Sequence, residues 1–331
     1  MQKQTLKDWI KGQGASKGVS DILLTIASSC TGIAKIVNDA PLDGLIGASS
    51  QTNVQGEVQK DLDIITNDLM VADLLTVSSV SAMVSEEIDE VIQNSNKSEN
   101  ANLAVCFDPL DGSSNIDNNG IIGTIFSVLE LASNSKNITS SDVLSASRNQ
   151  KAAGYFIYGP ACLLMVSVGN KVAMFALSEK QQQFLLVDGG DVSIAKQSNE
   201  FAINMSYQRF WDSAIAKYIE QCLLGEQGKR KKNFNMRWAG SMVADVHRIF
   251  MHGGVFIYPS MDKKGSENGK LRFLYEANPM AMLVENAGGM AISNSLPIRE
   301  IRATNIHQRV PVVLGSSQEV EILLNLYQNT Q

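Results

Sequence analysis

Apolar residues recur at helical spacing from Ser20 to Val37, through Ile22, Leu23, Ile26, Ile33, Ile36 and Val37, and Ser20 with Asp21 supplies start signals for an amphipathic helix. The same period runs from Asp63 to Val77 through Ile64, Ile65, Leu69, Ala72 and Leu75. A short alternating segment, Met83 to Ser85, then leads into Glu86-Glu87 and sets those acids at a strand end. The run Leu103-Ala104-Val105-Cys106-Phe107 has no polar break and reads as a buried strand. Asp108-Pro109 is expected to end it, because proline lacks the N–H that a ladder uses. After Arg148 the texture changes to short apolar runs at Tyr155 to Tyr158, Cys162 to Val168, Lys171 to Leu177 and Phe184 to Val187, an antiparallel meander with Gly169-Asn170 as a tight turn. Helical patterns follow near Trp211 to Leu224, Ser241 to Phe250 and Ala277 to Ala287, with strands at Val255 to Tyr258 and Val310 to Leu314. The pattern predicts an α/β chain whose second half is α+β.

A length of 331 residues allows two folding units or one large layered domain with a deep core. Lys and Arg number 28 against 34 Asp and Glu, a formal charge of −6, which disfavours polyphosphate backbones. The one basic run, Lys229-Arg230-Lys231-Lys232, is short and poor in aromatics and reads as a solvated loop, so no nucleic-acid partner is expected. Cys30, Cys106, Cys162 and Cys222 form no C-x-x-C pair, which argues for reduced thiols rather than a zinc site or disulfide framework. No signal-peptide pattern opens the chain and no apolar run is expected to reach membrane-spanning length, so a cytoplasmic location fits. The Ser/Asn-rich stretch Asn94 to Asn102 reads as a mobile loop.

The chemistry concentrates at Asp108-Pro109-Leu110-Asp111-Gly112-Ser113-Ser114-Asn115, two acids three residues apart at the exit of a buried strand. Asp-Pro and Asp-Gly are also turn dipeptides. A turn, however, does not require two acids beside a fully apolar strand, where unpaired charge is costly and a divalent cation offsets it. Backbone N–H groups after Asp111 suit a phosphate. With Glu86, Glu87, Asp63 and Glu57 the acids are numerous enough for more than one divalent ion, and Glu276 heads another apolar helix.

Further markers join these: Asn53-Val54-Gln55-Gly56-Glu57, Leu62-Asp63, Ser85-Glu86-Glu87, Gly240-Ser241-Met242-Val243-Ala244-Asp245-Val246-His247-Arg248, Gly269-Lys270-Leu271-Arg272 and Tyr275-Glu276-Ala277-Asn278-Pro279-Met280-Ala281. In this order they resemble the class I fructose-1,6-bisphosphatases, in the magnesium-dependent, lithium-sensitive sugar and inositol phosphatase superfamily. The resemblance implies a layered α/β/α/β/α fold, with residues 1–195 carrying the metal-site acids and 196–331 the sugar and 6-phosphate site. It implies release of the 1-phosphate of fructose 1,6-bisphosphate in gluconeogenesis by a cytoplasmic homotetramer. Glu86, Asp108, the Leu110 carbonyl, Asp111 and Glu276 would hold Mg²⁺ or Mn²⁺, more than one ion per site. Asp63 and Glu87, with Glu57 on a loop where the family usually carries Asp, would be catalytic. Gly112, Ser113 and Ser114 would bind the reacting phosphate. Asn204, Tyr207, Tyr258 and Arg237, the last from a neighbouring subunit, would hold the 6-phosphate, and Lys270 and Met242 the sugar. Trp238 falls where the animal enzymes carry Tyr.

Sedoheptulose 1,7-bisphosphate is the alternative or additional substrate, one hydroxymethylene unit longer. A non-catalytic sugar-phosphate-binding relative would have lost carboxylates, and these are present. In the animal enzymes AMP inhibits from a remote site built on the start of the first long helix, a Lys-Tyr pair and an Arg. The corresponding positions here are Val19 to Leu23, Asn102-Leu103 and Glu130, so insensitivity to AMP is expected.

Overall fold

The computed structural model describes residues 3–45, 48–52, 58–132 and 135–329. The chain opens with α1 (Leu6–Gly12) and α2 (Lys17–Asp39), then the hairpin of β1 (Ala48–Thr52) with β2 (Val58–Lys60), then α3 (Asp61–Leu74). There follow β3 (Val80–Ser85), β4 (Ile92–Gln93), β5 (Leu103–Asp111), β6 (Ile122–Glu130), α4 (Ser140–Ala146), β7 (Gln150–Tyr158), β8 (Cys162–Val168), β9 (Lys171–Ser178) and β10 (Gln183–Asp191). The remainder runs β11 (Glu200–Ala202), α5 (Ser213–Leu223), β12 (Asn235–Met236), α6 (Met242–His252), β13 (Val255–Tyr258) and β14 (Leu271–Arg272). A π-helical turn (Phe273–Ala277) leads into α7 (Asn278–Asn286), β15 (Met290–Ser293), β16 (Leu296–Pro297), β17 (Arg309–Val310), β18 (Val312–Gly315) and α8 (Ser317–Gln328).

An eight-stranded sheet in the order β10-β9-β8-β7-β6-β5-β3-β4 and a six-stranded sheet in the order β12-β11-β13-β18-β15-β16 form the two β layers. Along β5 successive side chains go to opposite faces, Leu103, Val105 and Phe107 joining α1, α2 and α3, and Ala104 and Cys106 joining α6 and α7. Burial on both faces explains why this strand has no polar alternation. Helices α6 and α7 are shared between the sheets, and α5 and α8 cover the far side of the second through Ile215, Tyr218, Val320 and Leu323 packed on Val255 and Val313. The result is the five-layer α/β/α/β/α arrangement.

Several sequence expectations need correction. Helix α2 starts at Lys17, where Ser16 accepts the Val19 N–H, so Ser20 and Asp21 lie within it. By length and composition α2 could cross a membrane, contrary to the expectation from the sequence, yet Ile22, Ile26, Cys30 and Ile33 are fully buried in the core. Pro109 does not end its strand: β5 continues to Asp111 through an irregularity in its pairing with β6. The stretch Asn94 to Asn102 is anchored, because the buried Asn94 amide donates to the carbonyls of Val77 and Val80. The basic run is not all solvated either. Arg230 and Lys232 both pair with the buried Glu319 of α8.

Candidate active site

The β5 irregularity is what brings two acids together. Residues three apart on a regular strand point to opposite faces. Here Asp108 pairs with Ile125 and Asp111 with Gly123, so the single residue Thr124 faces both Pro109 and Leu110. The extra residue of this bulge turns Asp111 to the same face as Asp108, toward α6 and α7. Pro109 is tolerated there because a bulge does not call on every N–H. The Leu110 N–H donates to Asp108 Oδ1 at 2.9 Å, which fixes that carboxyl within the bulge.

Asp111 in turn stands at the N-terminus of α6. Its Oδ2 accepts the Val243 N–H and the Ser241 hydroxyl, both at 2.9 Å, so it supplies the cap that Ser241 does not give its own helix. Gly112 follows with a φ of 78°, and a Cβ there would lie 2.6 Å from the Ser241 Cβ, so both its conformation and the close approach require glycine. Glu86 leaves the end of β3, with its N–H donating to the Phe107 carbonyl. The first turn of α3 carries Asp63, and one turn on, Asn67 accepts the Ser85 hydroxyl at 2.7 Å, which ties the helix to the β3 exit bearing Glu86 and Glu87.

Glu276 lies in the π-helical turn and accepts the Arg272 N–H at 2.6 Å. The Arg272 guanidinium also reaches Glu86, at 2.8 Å. Nothing in the residue pattern alone gives Arg272 this part, although a cation four residues before Glu276 is a signal of it.

Carboxylate oxygens of Asp108, Asp111 and Glu276 all lie within 4.8 Å of one another, and all three residues are buried. Burial, then the neighbouring charges of Glu86, Asp111 and Glu276, holds the Asp108 carboxyl well above the usual range. Burial raises Glu276 well above it too, against the opposing pull of Arg272. Asp111 is pushed up to about 6 by burial, less far because of its bonds from Val243 and Ser241. Hard oxygen donors crowded in a low-dielectric place suit a small divalent cation, and the residues present fit one.

A cavity of about 250 Å³ opens over these acids and is also lined by Asp63, Glu87, Leu110, Gly112, Ser113, Ser114, Met242, Tyr258 and Lys270. Asn204, Tyr207 and Tyr258 meet in an adjoining cleft with Trp238. Tyr258 lines both. Trp238 stacks on Phe256 with ring centroids 6.0 Å apart, so it belongs to the wall between them. Arg237 is exposed and absent from the lining of either space in its own chain. Glu57, with Asn53 to Gly56, lies outside the described residues. Asp245, within the marker from Gly240 to Arg248, is buried and accepts the Ala239 and Gly240 N–H groups, which shapes the loop that carries Trp238 toward the cavity.

Acids gathered at strand exits, beside a glycine turn and a lysine, make a site for a phosphate ester with its counter-ions, and the layered fold around it is that of a sugar phosphatase. Residues 2–189 match the family described as fructose-1-6-bisphosphatase, N-terminal domain, and residues 194–328 match its C-terminal domain. A class 1 fructose-1,6-bisphosphatase of Shewanella pealeana is 46% identical over 98% of this chain and 97% of its own length. The class 1 enzyme of Shewanella oneidensis is 45% identical over 98% of each chain. The crystal structure of Leishmania major fructose-1,6-bisphosphatase in holo form superimposes with a TM-score of 0.91 at 32% identity, covering 99% of this chain and 100% of that one. The chain belongs to the class I fructose-1,6-bisphosphatase family. It is a phosphatase that hydrolyses fructose 1,6-bisphosphate, an activity of gluconeogenesis, and the family together with the acid cluster goes with dependence on a divalent metal.

Proposed function

We propose that the enzyme removes the 1-phosphate by in-line attack of water, with Glu86, Asp108, the Leu110 carbonyl, Asp111 and Glu276 as ligands for Mg²⁺, or Mn²⁺ in its place, at more than one position. The observation that carries this reading is the convergence of three buried carboxylates within 4.8 Å beside the Gly112 turn. When bound, the cations supply a sink for charge on the transferring phosphate and on the leaving alkoxide. Asp63 and Glu87, which line the same cavity, orient the attacking water and take its proton, with Glu57 as a third catalytic acid. The N–H groups and hydroxyls of Gly112, Ser113 and Ser114 receive the departing phosphate.

Lys270 and Met242 contact the sugar, and Asn204, Tyr207 and Tyr258 hold the 6-phosphate together with Arg237 from a neighbour in a homotetramer. Residues 1–195 thus contribute the metal-site acids apart from Glu276, and 196–331 contribute Glu276 with the sugar and 6-phosphate residues, in a cytoplasmic enzyme. Phosphate release from fructose 1,6-bisphosphate and from sedoheptulose 1,7-bisphosphate, each with Mg²⁺ or with excess chelator, tests the reading. Turnover of the first only with the metal is the expected result. Undiminished turnover in chelator would overturn the metal assignment.

A further inference from the structure

Two fully or nearly buried hydroxyls, Thr124 of β6 and Tyr158 of β7, lie behind the acid-bearing bulge, on the face of the sheet opposite the cavity and among the residues packed against α2. The Thr124 hydroxyl donates to the Pro109 carbonyl at 2.8 Å, from the β6 position that faces the bulged pair Pro109 and Leu110. The Tyr158 hydroxyl lies 2.8 Å from Thr124 Oγ1. Directions follow from valence. A carbonyl can only accept, so Thr124 gives its one proton to Pro109, and Tyr158 must donate to Thr124. The phenol of Tyr158, on the strand next to β6, thus heads the chain. A one-way chain therefore runs from β7 through β6 to the peptide between the two acids.

We infer that Thr124 and Tyr158 are positioning residues for the metal-binding acids: their hydroxyl chain fixes the β5 bulge that turns Asp108 and Asp111 to one face. The physical case is the strand's period of two. Without the bulge the two acids would face opposite sides of the sheet, and a ladder irregularity has more than one way to relax unless its carbonyls have fixed partners. A relaxed bulge shifts Asp111 relative to Asp108 by more than the tolerance of about 0.5 Å that a binding site allows its ligands.

This rests on the metal-site reading above, and the experiment separates the two. Mn²⁺ binding to chelator-stripped protein is measured by calorimetry for the unaltered chain and for Thr124→Val, Thr124→Ser, Tyr158→Phe and Asp108→Asn, with circular dichroism confirming the fold. Thr124→Val keeps the shape and removes the hydroxyl. It is expected to weaken Mn²⁺ binding by roughly tenfold or more, with Tyr158→Phe in the same direction and Thr124→Ser within about twofold of the unaltered chain. At saturating Mn²⁺, KM for the bisphosphate should stay unchanged while kcat falls. Should Thr124→Val not fold, Tyr158→Phe, which adds no volume, decides the matter. Unaltered Mn²⁺ affinity in folded Thr124→Val or Tyr158→Phe, or a Thr124→Ser no better than Thr124→Val, overturns the inference provided Asp108→Asn has lost binding. Undiminished binding by Asp108→Asn would instead overturn the metal-site reading itself.

Discussion

Asp108 stands under two opposed demands, since a buried carboxylate among Glu86, Asp111 and Glu276 opposes folding and yet is what a cation needs. Asp108→Asn keeps an oxygen for the Leu110 N–H while it removes one charge. Turnover should fall by at least about a hundredfold, while the melting temperature measured in chelator should rise or hold. Glu87→Gln should also abolish most turnover but spare Mn²⁺ binding more than Asp108→Asn does, because its proposed task is proton handling, and calorimetry beside phosphate release tells the two apart. A pH dependence follows from Asp111, raised by burial to about 6, and from Asp245, raised by burial to about 7. Both folded values exceed the unfolded value of about 3.9, so the native state binds more protons and stability is greatest below that value. It is lost as pH climbs through the folded values. Chelator-stripped protein should therefore melt at progressively lower temperature from about pH 4 to pH 7. A melting temperature that rises across that window would show these acids to be ionised in the fold.

Among the elements, the most informative link joins α8 to the loop before β12. Glu319 accepts from Lys232 at 2.9 Å, from Tyr218 at 2.8 Å and from Arg230, and both Glu319 and Arg230 are almost wholly withdrawn from water. Glu319→Gln strands the Arg230 charge and should cost about 3 to 5 kcal/mol in urea unfolding, with the active site unchanged at low denaturant. The partner lies 89 residues away from Arg230, which is why the basic run looks like a solvated loop in the sequence. The β5 bulge was hidden for the same reason. Pro109 is a local stop signal, but pairing with β6 decides where the strand ends. Likewise the amide of Asn94 finds its carbonyls only after the chain has folded back on β3. Where one short segment contains its own signal, sequence and structure agree: Val255 to Tyr258 is β13, and the apolar period from Ala277 to Ala287 contains α7. The acids are legible by their types and motif context, whereas Ser241 and Arg272 act through Asp111 and Glu86 on distant segments and Asp245 through the backbone of a turn just before it, contacts that no residue pattern displays.

At the scale of the whole molecule, the exposed Arg237 sits beside Met236, itself 43% exposed, on the edge strand β12. If Arg237 serves a neighbour's site, mixing Arg237→Ala with Asp111→Asn protein should rebuild sites that carry both intact groups. Recovered activity after subunit exchange is the expected outcome, and no recovery despite exchange would confine Arg237 to its own chain. Regulation belongs to this scale too. Val19 and Leu23, which stand where the animal enzymes carry threonines of the AMP site, are buried residues within α2, which begins at Lys17. A groove of about 550 Å³ does lie there, lined by Gln13 to Ser16, Gly18, Val19, Asn102, Leu103, Glu130 and Lys151. Its two charged lining groups neutralise each other, Lys151 pairing with Glu130 at 2.7 Å, and Ser16 already takes the Val19 N–H at the helix end. A phosphate dianion entering would meet no net positive charge and a carboxylate of its own sign, whereas micromolar affinity requires about 8 kcal/mol of binding free energy. Charge-assisted bonds of about 1.5 to 3 kcal/mol each would be needed to reach it, and the groove has one lysine to offer, already engaged. Activity titrated with AMP to millimolar at saturating Mg²⁺ should stay flat. Cooperative inhibition in the micromolar range would mean that the nucleotide binds by contacts other than these.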